Sequence, residues 1–295
     1  MHIPDGFLTP PVWLTLDAIS APAIAWAARR RPDAESASGP RQIPLLGVMG
    51  AFVFAAQMVN FPVAFGASGH LLGGTLLAVV LGPSAAALTL SAIVVLQALL
   101  FQDGGVLALG ANIFNMSFLG VLAGYLPVWF WGRSRMAVFS GGVLSVLTSG
   151  AFALWELKLS GVALGGSAVG IALALFCLTG ILEGAITVAA LRAIERLSPR
   201  ALPEHRPVYQ QTWAAVAMAA LLLVTAGVWV ASAAPDSIQH LAAQLGIEEQ
   251  PVWTGAPFAG YALAGAGPEW LQKSIAGLAG IGCVFAISAI GSKRR

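Results

Sequence analysis

Charge is what this chain has least of. Asp, Glu, Lys and Arg make up 9% of it against 58% hydrophobic residues, where soluble domains carry about 25% charged. That shortage excludes a water-exposed globular domain and places the chain in a bilayer. A net charge of +2 is too small and too scattered to attract nucleic acid. Cysteine is almost missing as well. Cys177 and Cys283 fall in apolar runs with no Cys-x-x-Cys and no Cys/His cluster, so they are expected to be buried thiols that pack as small hydrophobes. No Gly-x-x-x-x-Gly-Lys-Ser/Thr loop is present, which excludes ATP hydrolysis by the P-loop route. Nor is there a His-Glu-x-x-His, the mark of a familiar intramembrane metalloprotease. Met1 to Leu8 holds neither Lys nor Arg, unlike a secretory signal. The start is therefore expected to be the mature one, with Met1 retained before the bulky His2 and its amine free.

What the chain does have is apolar runs long enough to cross about 30 Å of hydrocarbon. They lie at about 8–28, 43–62, 63–82, 84–101, 106–130, 136–154, 163–191, 212–232 and 274–291. The expected fold is an all-α polytopic bundle of nine spans. Basic residues gather in cytoplasmic loops. Here Arg29, Arg30, Arg31 and Arg41 follow span one, Arg133 and Arg135 follow span five, and Arg192, Arg196, Arg200 and Arg206 follow span seven. Lys293, Arg294 and Arg295 close the chain, leaving only Lys158 and Lys273 for the other side. Nine crossings then put Met1 outside and the C-terminus in the cytoplasm of a plasma membrane.

Gly66, Gly69, Gly73 and Gly74 interrupt the 63–82 run, and irregular backbone at membrane depth is tolerated only where protein or a watery cavity covers it. The spacings Gly120/Gly124 and Gly166/Gly170 suit close helix packing. A polar stretch at about 195–211 with Pro199, Pro203 and Pro207 divides a larger unit, 1–205, from a two-helix unit, 206–295. The smaller unit carries an outer loop from Ala233 to Lys273, and it is expected to pack on the larger one because two helices bury little surface alone.

Chemistry is concentrated at the start. The Met1 amine, the His2 amide nitrogen and His2 Nδ1 can close two fused chelate rings on one ion, three nitrogens in a plane. With the amide deprotonated such a set suits Ni(II) or Cu(II), which accept square-planar nitrogen coordination. A second imidazole would complete the square. His70, in Ser68-Gly69-His70-Leu71-Leu72-Gly73-Gly74 near the outer end of span three, shares the outer side with His2. His205 and His240 fall in the linker and the outer loop, where solvated surface positions account for them. The candidate ligands are thus Met1, His2 and His70. A metal-bound imidazole needs an outer partner to fix its tautomer, and Gln57, Asn60, Ser68, Asn112 and Asn115 are the candidates, although each could equally make hydrogen bonds between helices. Two acids lie inside spans, Asp17 and Glu183, and intramembrane carboxylates are costly enough to be functional by default. Glu183, placed toward the cytoplasmic half of span seven, reads as a structural acid or as a release-path residue. They also support an alternative, an intramembrane acid–base enzyme using Glu183 and Asp17 with His70. A third reading is a channel or assembly partner that holds no metal.

Met1-His2-Ile3-Pro4-Asp5-Gly6-Phe7-Leu8, together with Asn60-Phe61-Pro62 and Ser68 to Gly74, resembles the substrate-binding membrane subunit of the nickel/cobalt energy-coupling-factor transporters. The tail, with Ala234-Pro235-Asp236 and Pro251-Val252-Trp253, resembles that family's small accessory subunit in fused form, although it reads Pro235-Asp236-Ser237-Ile238-Gln239 where Pro-Asp-Gly-Leu-Glu is commoner. The resemblance implies a transporter subunit and not an enzyme: a seven-helix binding unit, no organic cofactor, Ni(II) or Co(II) as cargo, a separate transmembrane coupling protein and two cytoplasmic ATPases. It also implies that Met1, His2 and a histidine matching His70 hold the ion, the same four nitrogens that the residues suggest. Nickel and cobalt stay open, the Ile3-Pro4-Asp5-Gly6 start inclining toward nickel. So does the receiving pathway, urease, hydrogenase or corrinoid (cobalamin) synthesis.

Overall fold

A computed structural model describes residues 1–29, 42–197 and 210–293. Arg30, Arg31, Arg41, Arg200, Arg206, Arg294, Arg295, His205, most of the expected linker and the boundary at 205/206 lie outside them.

The described chain is a bundle of helices. They are α1 (Pro10–Arg29), α2 (Gln42–Gln57), α3 (Gly74–Leu81), α4 (Pro83–Phe101), α5 (Leu109–Trp131), α6 (Arg135–Leu159), α7 (Gly166–Leu197), α8 (Gln210–Thr225), α9 (Ser237–Leu245) and α10 (Glu269–Lys293). Seven of the described helices are long and apolar enough to cross a membrane, which makes this a multi-pass membrane protein. Their outer faces stay apolar and exposed, as Trp26, Leu122, Trp129 and Leu222 show, because lipid is as good a neighbour for them as another helix. The same logic corrects the expectation for the thiols: Cys177 is exposed and Cys283 half-buried. In a bilayer an apolar run says nothing about which face turns inward.

Two parts depart from nine uninterrupted spans. The α2 helix has sixteen residues, short of the roughly twenty that cross hydrocarbon upright. The 63–82 run is not a helix through most of its length. Phe61–Pro62 pairs antiparallel with Ser68–Gly69, the tip turns through left-handed Phe65 and Gly66, and an extended stretch leads to the eight-residue α3. Backbone groups that leave a helix at this depth need other partners, and they have them. The Leu72 and Gly73 N–H groups donate to the Glu183 carboxylate at 2.6 and 2.8 Å, and the Leu72 carbonyl accepts from Gln57 Nε2 at 2.8 Å. At the far end of α3, Arg133 donates to the Val79 carbonyl at 2.9 Å. Glu183 is thus tied to the loop that carries His70.

Small residues bring the helices together where packing is tight. A Cβ on Gly142 would stand 2.5 Å from Gly184 Cα, one on Gly120 would meet Ser149 Oγ at 2.6 Å, and one on Gly124 would meet Thr75 Oγ1 at 2.2 Å. Gly166 and Gly170 face open space instead, so that pair packs nothing in the described chain. In the tail, α8 and α10 lie against α2, with Gly47 under Phe285 and Gly280 under Phe54. Between them, the outer loop folds back over the N-terminal segment.

Candidate metal centre

The first nine residues form no helix. They run into the bundle, and Met1, His2 and Ile3 are 7%, 3% and 0% exposed. Ile3 is held as a strand neighbour would hold it: its N–H donates to Asn112 Oδ1 at 2.7 Å, and its carbonyl accepts from Asn112 Nδ2 at 3.0 Å and from the Gly105 N–H at 2.9 Å. Such close passage needs glycine on the facing turn. A Cβ on Gly105 would lie 2.3 Å from Asp5 Oδ1, and one on the left-handed Gly104 3.1 Å from His2 Cβ. Asp5 seats the next stretch by accepting from the Leu107 N–H at 2.8 Å.

This path brings the Met1 amine 2.9 Å from His70 Nε2. Neighbouring donors in a square-planar set with bonds of about 2 Å stand about 2.8 Å apart, so the two nitrogens already have the spacing of adjacent ligands. The His2 and His70 rings lie nearly parallel, centroids 5.6 Å apart.

Hydrogen bonds around the rings select their tautomers. His70 Nδ1 donates to the Leu71 carbonyl at 3.0 Å, leaving Nε2 with a lone pair toward the amine. For His2 the direction is set three residues away. Gln57 donates its amide to the Leu72 carbonyl, so its Oε1 accepts from Gln97 Nε2 at 2.8 Å, and Gln97 Oε1 accepts from His2 Nε2 at 3.1 Å. Nε2 therefore carries a proton and Nδ1 is left to a second proton or a metal ion, which is the fixing of the ring that metal-bound histidines receive from outer partners. His2 Nδ1 is buried without a hydrogen-bond partner, and Asp103 Oδ1 lies 3.2 Å from it. A lone pair facing a carboxylate requires a positive centre there, a proton or a metal ion. Among the described residues the His2 backbone N–H makes no hydrogen bond either.

Two acids complete the surroundings. Asp236 pairs with the Met1 amine. Asp103 accepts from the Tyr261 hydroxyl. Burial opposes ionisation of both, but nearby charge and hydrogen bonds outweigh it. His2, Tyr261 and His70 hold Asp103 below the ordinary carboxylate range, and the amine, His70 and the Gln239 N–H do the same for Asp236. A cavity of about 190 Å³ lined by His70, Asp103, Asp236, Gln57, Gln239 and Tyr261 opens beside them.

Of the expected outer partners, Gln57 stands in the relay to His2, whereas Asn112 bonds the Ile3 backbone and not an imidazole. Asn60 lines the cavity, and its carbonyl accepts from the Ser232 N–H. Ser68 binds the tail through the Ala234 carbonyl at 2.7 Å. Asn115 is turned elsewhere and donates to Glu156 Oε2 at 2.8 Å. Asp17 accepts from the Gly110 N–H at 2.8 Å and, like Glu183, is engaged by backbone, which ties up the two acids that the acid–base reading relied on. His240 meets Gln244. Gln97, Asp103, Asp236 and Tyr261 were not singled out from the sequence. The signal available for the first is a glutamine in an otherwise apolar span, and for the third the Asp236-x-x-Gln239 capping pattern.

A multi-pass helical bundle with an inward-folded N-terminus, two tautomer-fixed imidazoles and no nucleotide loop belongs to the class of membrane transporter subunits that handle a small cation. Comparison with known proteins makes the class specific. Residues 2–201 match the family model described as "Cobalt uptake substrate-specific transmembrane region", and the chain belongs to that family, in the fused form that joins the binding subunit to its accessory module. It is 32% identical to the "Putative fused nickel transport protein NikMN" of Archaeoglobus fulgidus, over 97% of this chain and 96% of that one. It is 37% identical to the "Cobalt transport protein CbiM" of Acetoanaerobium sticklandii, over 42% of this chain and 52% of that one. A crystal structure described as a truncated transition metal transporter superposes with a TM-score of 0.55 at 30% identity, covering 66% of this chain and 99% of the other. The chain is a metal transport protein and not an enzyme.

Proposed function

We propose that this chain is the substrate-capture subunit of an ATP-driven energy-coupling-factor importer for Ni(II) or Co(II). The cargo ion is held by the Met1 amine, the His2 amide nitrogen and Nδ1, and His70 Nε2. The observation that carries the reading is the 2.9 Å approach of the Met1 amine to His70 Nε2 beside a buried His2 Nδ1 that makes no hydrogen bond and faces Asp103 at 3.2 Å. Four nitrogens in a plane favour the late divalent ions of the first transition row over Mg(II) or Ca(II), which take oxygen.

The basic residues orient the protein with Met1 outside and the C-terminus in the cytoplasm. Residues 1–205 are the binding unit and 206–295 the accessory unit. The chain has no ATPase motif of its own, so energy comes from a separate membrane coupling protein and two cytoplasmic ATPases, and release follows from a lower affinity in the inward-facing state. The deciding experiment is equilibrium dialysis of purified protein against Ni(II) and Co(II), once with the natural start and once with residues added ahead of Met1. One ion should bind per chain with the natural start and none with the extension. Retention of the ion by the extended protein would overturn the scheme.

A further inference from the structure

The N-terminal segment has no secondary structure of its own, so holding its donors in place costs conformational entropy that other contacts must offset. Many of those contacts come from the tail. The outer loop is fastened to the His70 hairpin, where the Ser68 N–H donates to the Pro235 carbonyl at 2.8 Å and Ser68 Oγ to the Ala234 carbonyl at 2.7 Å. From there it follows the N-terminal segment. The Gln250 N–H donates to the Asp5 carbonyl at 2.9 Å and the Val252 N–H to Asp5 Oδ2 at 3.3 Å. Trp253 Nε1 donates to the Leu99 carbonyl at 2.9 Å, and the Tyr261 hydroxyl reaches Asp103 beside His2. At the centre is Asp236. One of its oxygens accepts from the Ile238 and Gln239 N–H groups at 2.8 and 2.9 Å, capping α9 and locking the carboxylate so that the other oxygen meets the Met1 amine.

We infer that the outer loop of the tail is a strap over the chelate, with Asp236 the positioning residue that holds the Met1 amine beside His70. This rests on the proposed function for its purpose but not for its test. Asp236→Asn separates the two jobs of the side chain, since asparagine caps helices as well as aspartate does but carries no charge for the amine.

The experiment uses the full chain with its natural start, metal-free, and follows acylation of the Met1 amine by a water-soluble succinimidyl ester through mass spectrometry of the N-terminal peptide. The Asp236→Asn amine should react at least tenfold faster than the natural one, with Asp236→Glu intermediate and Ser68→Ala shifted the same way by less. Equilibrium dialysis against Ni(II) should show a ten- to hundredfold loss of affinity in Asp236→Asn, the range for lost outer partners, with the visible absorption of bound ion unchanged because the four nitrogens are the same. Equal acylation rates in the natural and Asp236→Asn proteins would overturn the strap, as would equal rates with Ser68→Ala if Asp236→Asn does not fold. Faster acylation in a protein whose natural form binds no nickel would uphold the strap and sink the metal reading instead.

Discussion

Met1 and His70 are 69 positions apart in the chain, yet the amine of one lies 2.9 Å from Nε2 of the other. Removing either imidazole leaves at most three of the four nitrogens. His2→Ala and His70→Ala should each lower Ni(II) affinity by at least a thousandfold, measured by equilibrium dialysis, while circular dichroism stays helical. A variant lacking one ring that still binds within tenfold would mean the ion sits elsewhere.

The glutamine relay predicts a milder effect. Gln97→Leu removes the acceptor that keeps the His2 proton on Nε2 and leaves Gln57 without its donor. Loss of such outer partners typically costs ten- to a hundredfold in metal affinity. Isothermal titration with Ni(II) should show that range for Gln97→Leu and a smaller loss for Gln57→Leu, one residue further out. No change in either would show that the tautomer is set by other means.

Gly105→Ala tests the path of the N-terminal segment. The added methyl carbon would lie 2.3 Å from Asp5 Oδ1 and 2.5 Å from the Asp5 backbone nitrogen, and backbone does not move aside cheaply. The segment should lift off, exposing Met1 to acylation and abolishing metal binding, with the spans intact by circular dichroism. Gly170→Ala, with open space around its Cβ position and helical backbone, serves as the control for binding.

Glu183→Gln is expected to act on stability. A carboxylate accepts from the Leu72 and Gly73 N–H groups with separate oxygens, whereas an amide has one oxygen and turns an N–H toward the other donor. A buried donor left unsatisfied costs about 1–3 kcal/mol. Thermal unfolding in detergent should fall by several degrees, and nickel affinity should weaken as the loop loosens. An unchanged midpoint would remove Glu183 from its supporting role.

Acid should release the ion before it frees the N-terminus. Coordinating nitrogens bind metal only without their protons, so binding sheds protons and affinity falls up to tenfold per pH unit for each one shed. The carboxylates of Asp103 and Asp236 are held below their ordinary values. A group depressed in the folded state contributes stability above its unfolded value and loses it only as pH drops through the folded one. Between pH 7 and 5 nickel should therefore dissociate while Asp236 stays ionised on the amine, checked by parallel dialysis and amide hydrogen exchange of residues 1–9. Loss of amide protection in step with the metal would contradict it.

Composition and run length alone place the chain in a bilayer, because lack of charge and about twenty apolar residues per segment leave few other solvents for it. The local order Met1-His2 also offers three nitrogens from which the proposed chelate could be built, since both fused rings would close within two residues. His70 stood out as an intramembrane histidine, and the structure brings it beside the Met1 amine. What the sequence could not show is which way an apolar helix turns, as Cys177 demonstrates, or that the glycine-broken run at 63–82 leaves the helix for a hairpin whose N–H groups find Glu183. Nor could it rank the amides. Gln57, Asn60, Asn112 and Asn115 look equivalent in a list of polar residues, yet only Gln57 stands in the relay to His2, Asn112 clamps Ile3, and Asn115 turns to Glu156. Asp236 is the extreme case: 235 residues from Met1, it reaches the amine only because the tail docks on α2 and its loop folds back. Hydrophobic patterning is read by the solvent one segment at a time, but a hydrogen bond has direction and needs its partner within about 3 Å, and only the packed tertiary structure can decide that.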